Sequence, residues 1–329
     1  MTTPSGRGSL PEDHPLALGL VGLYFTKVGE TAYGDADLLV TVGSRNEEFQ
    51  TGRWRYFPQG ARFVQIDIDP FEIGRNWVPD VAIVGDARLV LRELGAGLER
   101  RSSTSPWRTS WGEELSRRKR AYEAEVEADC LTEAVPIKTK RVVKELNRVF
   151  GGDAILVNEN GSQDLWSYYC PYYQVAAGGH CVAPGEQTCM GFGVAGAIGA
   201  KLAMPRKKVV CVTGDGAFQM FMKELPTAVQ YEAPVTWVVL NNASLGWIKY
   251  HQRKRLGCRY IATDFEAQPD FVGIATANRC FGERVVEPSQ IRTALERALR
   301  ANEEGIPAVL DFVIDPWEFG PGFERFHQV

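Results

Sequence analysis

The sequence predicts an α/β protein built from parallel-sheet domains with helices on both faces. Short apolar, β-branched runs recur along the 329 residues, and stretches with apolar residues at helical spacing separate them. Several runs end abruptly in glycine, asparagine or aspartate, the punctuation of strands that give way to turns. A composition of 44% hydrophobic and 24% charged residues supplies core for about two domains.

Residues 36–43 (ADLLVTVG) read as a buried strand after a helix over roughly 25–33. Residues 62–69 (RFVQIDID) form a second strand, ended by Pro70, and residues 81–84 a short third. Asp86 caps a helix reaching about Leu98. This alternation assigns residues 1–100 to part of one α/β domain. Residues 101–135 read as a connection, polar around Pro106 and then a helix over 111–129 whose mixed charges mark a solvated face. Residues 136–329 carry a second α/β domain. It opens with an amphipathic helix over 139–150, a strand over 154–157 and the polar loop Glu159-Asn160-Gly161-Ser162-Gln163. The small residues between Met190 and Ala200 let another backbone approach a helix closely. A helix over 289–299 and a strand over 307–314 close the domain. The tail 315–329, with Trp317, Phe319, Phe323 and Phe326, is suited to cover a site or a subunit face.

Net charge of −4 gives no global reason to expect nucleic acid or an anionic membrane. No apolar run approaches the roughly 18 residues of a membrane span. The seven cysteines form no CxxC, and His180-Cys181 has no second pair at ligand spacing. This points to reduced thiols in a cytoplasmic protein and away from a disulfide framework or a zinc site. The N-terminal MTTPSGRGSLPEDHP is too polar for a signal peptide.

The stretch 209–252 carries the chemistry. An apolar run over 209–212 meets Gly214-Asp215-Gly216, a helical pattern covers 218–230, and a second apolar run over 235–240 ends at Asn241-Asn242. Such a βαβ unit makes two parallel strands. Asp215 and Asn242 then lie just past the carboxyl ends of their strands, where open α/β sheets bind ligands. A carboxylate and an amide oxygen are hard ligands suited to magnesium or calcium. The amides of Gly216, Ala217 and Phe218, at a helix start, favour a phosphate. A divalent ion beside such a turn suits a diphosphate. Taken singly, either element is also common turn punctuation.

Taken together, the Gly-Asp-Gly turn and the Asn-Asn that follows resemble the thiamine-diphosphate motif. The flanking QMFMKELPTAVQY and NNASLGWIKYHQ are similar to the acetolactate synthase-like branch of thiamine-diphosphate enzymes. The resemblance implies magnesium held by Asp215, Asn242 and the backbone oxygen of Ser244, and thiamine diphosphate contacted by Gly214, Gly216, Ala217 and Phe218. The family's GQHQ loop reads Gly161-Ser162-Gln163-Asp164 here, so Gly161, Ser162 and Gln163 would reach the cofactor. Asp164 would be an unwelcome anion beside a phosphate, and the alternative is a polar loop with Asp164 turned to solvent. Met190 matches the residue that props the cofactor into its bent conformation, with the Thr188 carbonyl taking the aminopyrimidine hydrogen bond. Leu245-Gly246-Trp247-Ile248 would line the cofactor and substrate space. His251 lies near a position where the family often has a Trp linked to acceptor choice. It is either a proton-transfer group or a surface histidine.

The N-terminal part also resembles this family. TTPSGRGSLPEDHPLALGLVG, DADLLVTVGSR, IDIDPFEIG and VGDARLVLREL are similar to the later half of its central domain. In FAD-using members that domain binds the flavin. Asp67 and Asp69 would then face ribose or adenine groups, or else merely end a strand before Pro70. Two departures count against FAD. The family's GMHG reads Gly22-Leu23-Tyr24-Phe25, which crowds a flavin, and FDDR reads Asn46-Glu47-Glu48-Phe49, which loses an arginine. The family's N-terminal pyrimidine-binding domain, with its activating glutamate, has no counterpart in these residues. The resemblance therefore implies one subunit of a split 2-oxo acid decarboxylase or carboligase, in a hetero-oligomer with a second chain that carries the pyrimidine-binding domain. A truncated family member and a catalytically silent binding or regulatory subunit are the alternatives.

Overall fold

The structure, a computed structural model, describes residues 1–101 and 107–327. After an N-terminal strap, α1 (Lys27–Gly34), β1 (Leu38–Val42), β2 (Arg62–Asp67), β3 (Val81–Val84) and α2 (Ala87–Arg101) form the smaller unit. Its three strands are parallel in the order β1-β2-β3, with Val40 opposite Val64 and Val64 opposite Val81. Thr26 caps α1 by accepting from the Gly29 amide, and Asp86 caps α2 through the Leu89 amide. The Asp67 and Asp69 carboxylates accept from the nearby amides of Asp69 and Phe71, so both are occupied in building the turn.

One expectation for this unit fails. The strand over 36–43 was expected to be buried, yet Leu38 is 46% and Val40 44% exposed. Among the described residues no element covers that face, so the apolar run that normally marks a buried parallel strand is left open.

The connection is α3 (Trp107–Asp129), with residues 102–106 of the expected linker lying outside the described residues. The helix is less solvated than its charges suggest. Leu115 and Val126 are buried, and Lys119 extends its ammonium inward to the carbonyls of Glu12 and His14, at 2.6 and 2.8 Å.

The larger unit contains α4 (Thr139–Phe150), β4 (Ile155–Asn158), β5 (His180–Val182), α5 (Phe192–Ala203), β6 (Val209–Gly214), α6 (Asp215–Phe221) and α7 (Leu225–Gln230). It continues through β7 (Thr236–Asn241), α8 (Gly246–Arg255), α9 (Phe271–Ala277), β8 (Phe281–Val285), α10 (Ile291–Glu303) and β9 (Ala308–Val313). Its six strands are all parallel, in the order β5-β4-β6-β7-β9-β8. Alternate residues feed two cores. Val210, Val212, Val238 and Leu310 pack with α4 and α10 on one face, while Val209, Cys211, Val239 and Val309 pack with α5 and α9 on the other. Each such side chain stabilises the fold by about 1.5–3 kcal/mol. The helix expected over 218–230 is interrupted by a 3-10 turn at Met222–Glu224. Pro226 lies in the first turn of α7, where its missing N–H costs nothing but a helix interior would not tolerate it.

The N-terminal strap joins the two units. The Arg7 guanidinium is fully buried and forks onto Glu12 at 2.8 and 2.9 Å. It also donates to the carbonyls of Ser167 and Tyr173, and Glu12 accepts from the Val175 amide. Leu20, Leu23 and Tyr24 join the core of the larger unit.

Candidate functional site

Strands β6 and β7 lie side by side at the middle of the large sheet, with Gly214 opposite Leu240. Asp215 is therefore the first residue beyond β6, and Asn242 comes two residues after Leu240. Gly214 has extended backbone and α6 begins directly at Asp215, so no loop separates strand from helix. The Asp215 side chain is 1% exposed, and its Oδ2 accepts from Gln268 Nε2 at 2.6 Å. Burial pushes its pKa up to about 7, with the Gly216 amide and Gln268 pulling the other way.

The Asn-Asn pair divides its work. Asn241 donates to Asp311 on β9 at 2.9 Å and accepts from the Ala243 amide, so it holds the sheet together. Asn242 accepts from the Ser244 amide at 3.1 Å. Ala243 takes the left-handed conformation (φ 53°), which turns the chain sharply enough to bring Ser244 and Leu245 back toward the sheet end.

A cavity of about 350 Å³ opens at this end of the sheet. Gly161, Ser162 and Gln163 line it from the loop after β4, and Thr188 and Met190 from the approach to α5. Gly214, Asp215, Gly216 and Ala217 contribute from the β6–α6 junction, and Asn242, Ser244 and Leu245 from the loop after β7. Two residues singled out in the sequence stand apart. The Phe218 ring is buried against Phe271, so only its backbone is placed toward the helix start. His251 is exposed on α8 and does not line the cavity, its ring 6.0 Å from that of His327.

The backbone in this region is tightly constrained. A side chain at Gly191 (φ 89°) would collide with the Phe221 ring, so the turn before α5 requires glycine. At Gly246 an added Cβ would come within 2.7 Å of Asn242 Nδ2. The Thr188 carbonyl, expected to be open for a ligand, accepts from Asn160 Nδ2.

The polar lining has unpaired donors. Gln163 uses Oε1 to accept from Thr139 at 3.0 Å, while its buried Nε2 has no partner. The buried Ser244 hydroxyl is likewise unpartnered. Such groups are costly unless something satisfies them. Glu159 is already satisfied, with Oε1 taking the amides of Asn160 and Gly191 and Oε2 that of Gly193, at 2.9–3.0 Å. Of the two alternatives for Asp164, the turn to solvent fails: the residue is fully buried at the head of the 3-10 turn Asp164–Tyr168.

The apolar wall is closed by the C-terminal tail. Trp247 lines the cavity and is packed from outside by Phe323 and Phe326, at ring separations of 5.0 and 5.1 Å. Phe326 also meets Tyr24, which stacks on Tyr168 at 5.6 Å. Gln268 is not singled out by the sequence, and Asn160 only as a member of its polar loop. Each acts through a side-chain bond to a distant residue, with no local pattern to mark it.

This donor set fits a magnesium diphosphate. It offers one carboxylate, one amide and main-chain oxygens for the ion, and unpaired N–H and O–H groups for an anion. Among the described residues no group of three or more His, Cys, Asp or Glu gathers to hold a metal. An ion here would lean on phosphate oxygens, as magnesium commonly does.

The family model described as "Thiamine pyrophosphate enzyme, C-terminal TPP binding domain" matches residues 160–312, and "Thiamine pyrophosphate enzyme, central domain" matches residues 1–94. A "Probable acetolactate synthase large subunit" of Methanocaldococcus jannaschii is 36% identical over 97% of this chain and 53% of its own length. A protein of the same description from Methanococcus aeolicus is 34% identical over 96% of the chain and 53% of its own. "Acetolactate synthase isozyme 3 large subunit" of Escherichia coli is 32% identical over 94% and 53%. The chain thus spans about half the length of the curated relatives it matches. With a central-domain match at one end and a TPP-binding match at the other, the chain belongs to the thiamine pyrophosphate enzymes and is similar to acetolactate synthase large subunits.

Proposed function

We propose that this chain is the diphosphate- and magnesium-holding subunit of a 2-oxo acid decarboxylase or carboligase. The observation that carries the reading is the meeting of Asp215 and Asn242 on one cavity with the unpartnered donors of Gln163 and Ser244. In this reading Asp215, Asn242 and the Ser244 carbonyl hold the ion. The amides of Gly216, Ala217 and Phe218, with Gln163 Nε2, take phosphate oxygens. Met190 supports the cofactor rings, and Leu245, Trp247 and Ile248 keep water from the reacting end. When bound, thiamine diphosphate supplies the nucleophilic carbon and the electron sink for releasing carbon dioxide from a 2-oxo acid.

The activating glutamate is assigned to a second polypeptide. Glu159, the glutamate that lines the cavity, has both oxygens engaged by backbone amides and is not free for that task. FAD is left out of the assignment, since Tyr24 is packed between Tyr168 and Phe326. The seven unpaired cysteines fit a reducing, cytoplasmic location, and no helix among the described residues is long and apolar enough to cross a membrane.

Calorimetry with thiamine diphosphate and magnesium tests the site. Asp215→Ala is expected to abolish metal-dependent binding, and unchanged affinity would remove Asp215 from the assignment. Pyruvate decarboxylation, measured for the chain alone and with a candidate partner, tests the split. Full turnover by the monodisperse chain alone would overturn it.

A further inference from the structure

We propose that Asp164 serves the anion site as an un-ionised acid, donating a hydrogen bond to a phosphate oxygen instead of repelling it. The proposal rests on the diphosphate reading given above. Asp164 lines the cavity and is fully buried, and neither of its carboxyl oxygens has a hydrogen-bond partner. Its Oδ1 lies 2.6 Å from where a Cβ on Gly161 would stand, so the carboxyl lies against the loop assigned to the diphosphate.

The surroundings decide its charge state. Glu159 from the loop after β4, Tyr168 from its own turn, Tyr24 from the N-terminal strap and Cys211 from β6 interact with it electrostatically. None of these is a cation. Burial first and the like charge of Glu159 second push the Asp164 carboxyl well above the usual carboxylate range, with only its own backbone amide pulling the other way. A carboxylate here would be buried, unpaired and beside a second acid, which is the costliest arrangement a carboxyl can take. A neutral acid has one O–H donor, and a phosphate oxygen is the strongest acceptor it could meet in this cavity. The aspartate that looks hostile to a diphosphate in the sequence thereby becomes a ligand for it.

Three proteins test this at pH 7 by calorimetry with thiamine diphosphate and magnesium: wild type, D164N and D164L. Asparagine keeps a donor and no charge, so D164N is expected to bind within about threefold of wild type. Leucine matches the shape without a donor, so D164L is expected to bind at least about tenfold more weakly, the worth of a hydrogen bond to a charged group. Binding by D164N more than tenfold tighter than wild type would show that the native carboxyl is ionised and repels the ligand. Equal binding by D164L would remove the donor role. Either result overturns the proposal.

A ligand-free measurement decides the charge state separately. A carboxyl whose folded pKa is raised gives stability that is complete below the unfolded value near 4 and is lost as pH rises. Wild type should therefore lose melting temperature relative to D164N from about pH 4 to pH 8. Parallel melting curves would overturn the proposal without any ligand. If none of the three proteins binds the cofactor, the diphosphate reading fails, and the donor role falls with it.

Discussion

Asp215 is an acid that the fold makes reluctant to ionise, and a metal ligand must be ionised. The two facts compete. With its pKa pushed up to about 7 by burial, a proton and a magnesium ion contend for the same oxygens below that pH. Magnesium affinity in the presence of thiamine diphosphate is therefore expected to rise about tenfold per pH unit up to 7 and to level off above it. Calorimetry between pH 5.5 and 8 measures this, and a flat profile would mean that Asp215 is not the ligand. In metal-free protein the sign reverses. The raised pKa gives stability that is present below about pH 4 and lost as pH climbs through 7. Chelated protein should then melt higher at pH 5 than at pH 7.5, and magnesium with cofactor should erase the difference. Asp215 and Asn242 were legible in the sequence because a strand end followed by a turn is a local pattern. Their supports were not legible. Gln268 bonds Asp215 across 53 residues, and Asp311 bonds Asn241 across 70. Asp164 stays open in the sequence between an anion beside a phosphate and a residue turned to solvent, since a polar residue in a polar loop gives no sign of how deeply the fold buries it.

At the scale of elements, the strands that frame the site were readable from short β-branched runs, and helix α4 from its periodicity. The strand β8, FGERV, was not, because only its first and last residues look apolar and its place beside β9 is set by tertiary pairing. The anchoring of the strap was not legible. Arg7 and Glu12 sit in a polar, turn-rich segment, yet the structure buries both and bonds Arg7 to carbonyls 160 and 166 residues away. Removing one partner of such a pair strands a buried charge. Arg7→Met is expected to destabilise the protein by about 3–5 kcal/mol. The double variant Arg7→Met with Glu12→Gln should regain much of that loss, because the orphaned carboxylate is gone. Urea unfolding of the three proteins measures both steps. If the single variant loses less than about 1 kcal/mol, the buried pair does not anchor the strap.

At the scale of the whole molecule, the two sheets differ in how they meet water. The six-stranded sheet is covered on both faces, as parallel sheets usually are. The three-stranded sheet is not. Val40, Val64 and Val81 form one row across it in register, and Val40 and Val81 are 44% and 49% exposed. Leu38, also exposed, extends the row along β1. Both β1 and β3 are edges of this sheet, so apolar surface and unpaired strand backbone lie together. Exposed patches and edges of this kind recruit other chains or copies of the same chain. The isolated chain is therefore expected to self-associate and to bind a hydrophobic dye such as ANS. Val40→Lys with Val81→Lys should lower both, since lysine interrupts the row and blocks edge pairing. The cost in stability should be no more than about 1 kcal/mol, because neither side chain is in a closed core. Sedimentation velocity and dye fluorescence on the two proteins test this. A wild-type chain that runs as a monomer and leaves the dye dark would show that the exposed row attracts nothing. Loss of folding in the double variant would show instead that these valines already stabilise the small unit from within. A second polypeptide that covers the row should protect it from the dye in wild type and not in the lysine variant. That difference separates a specific cover from general stickiness.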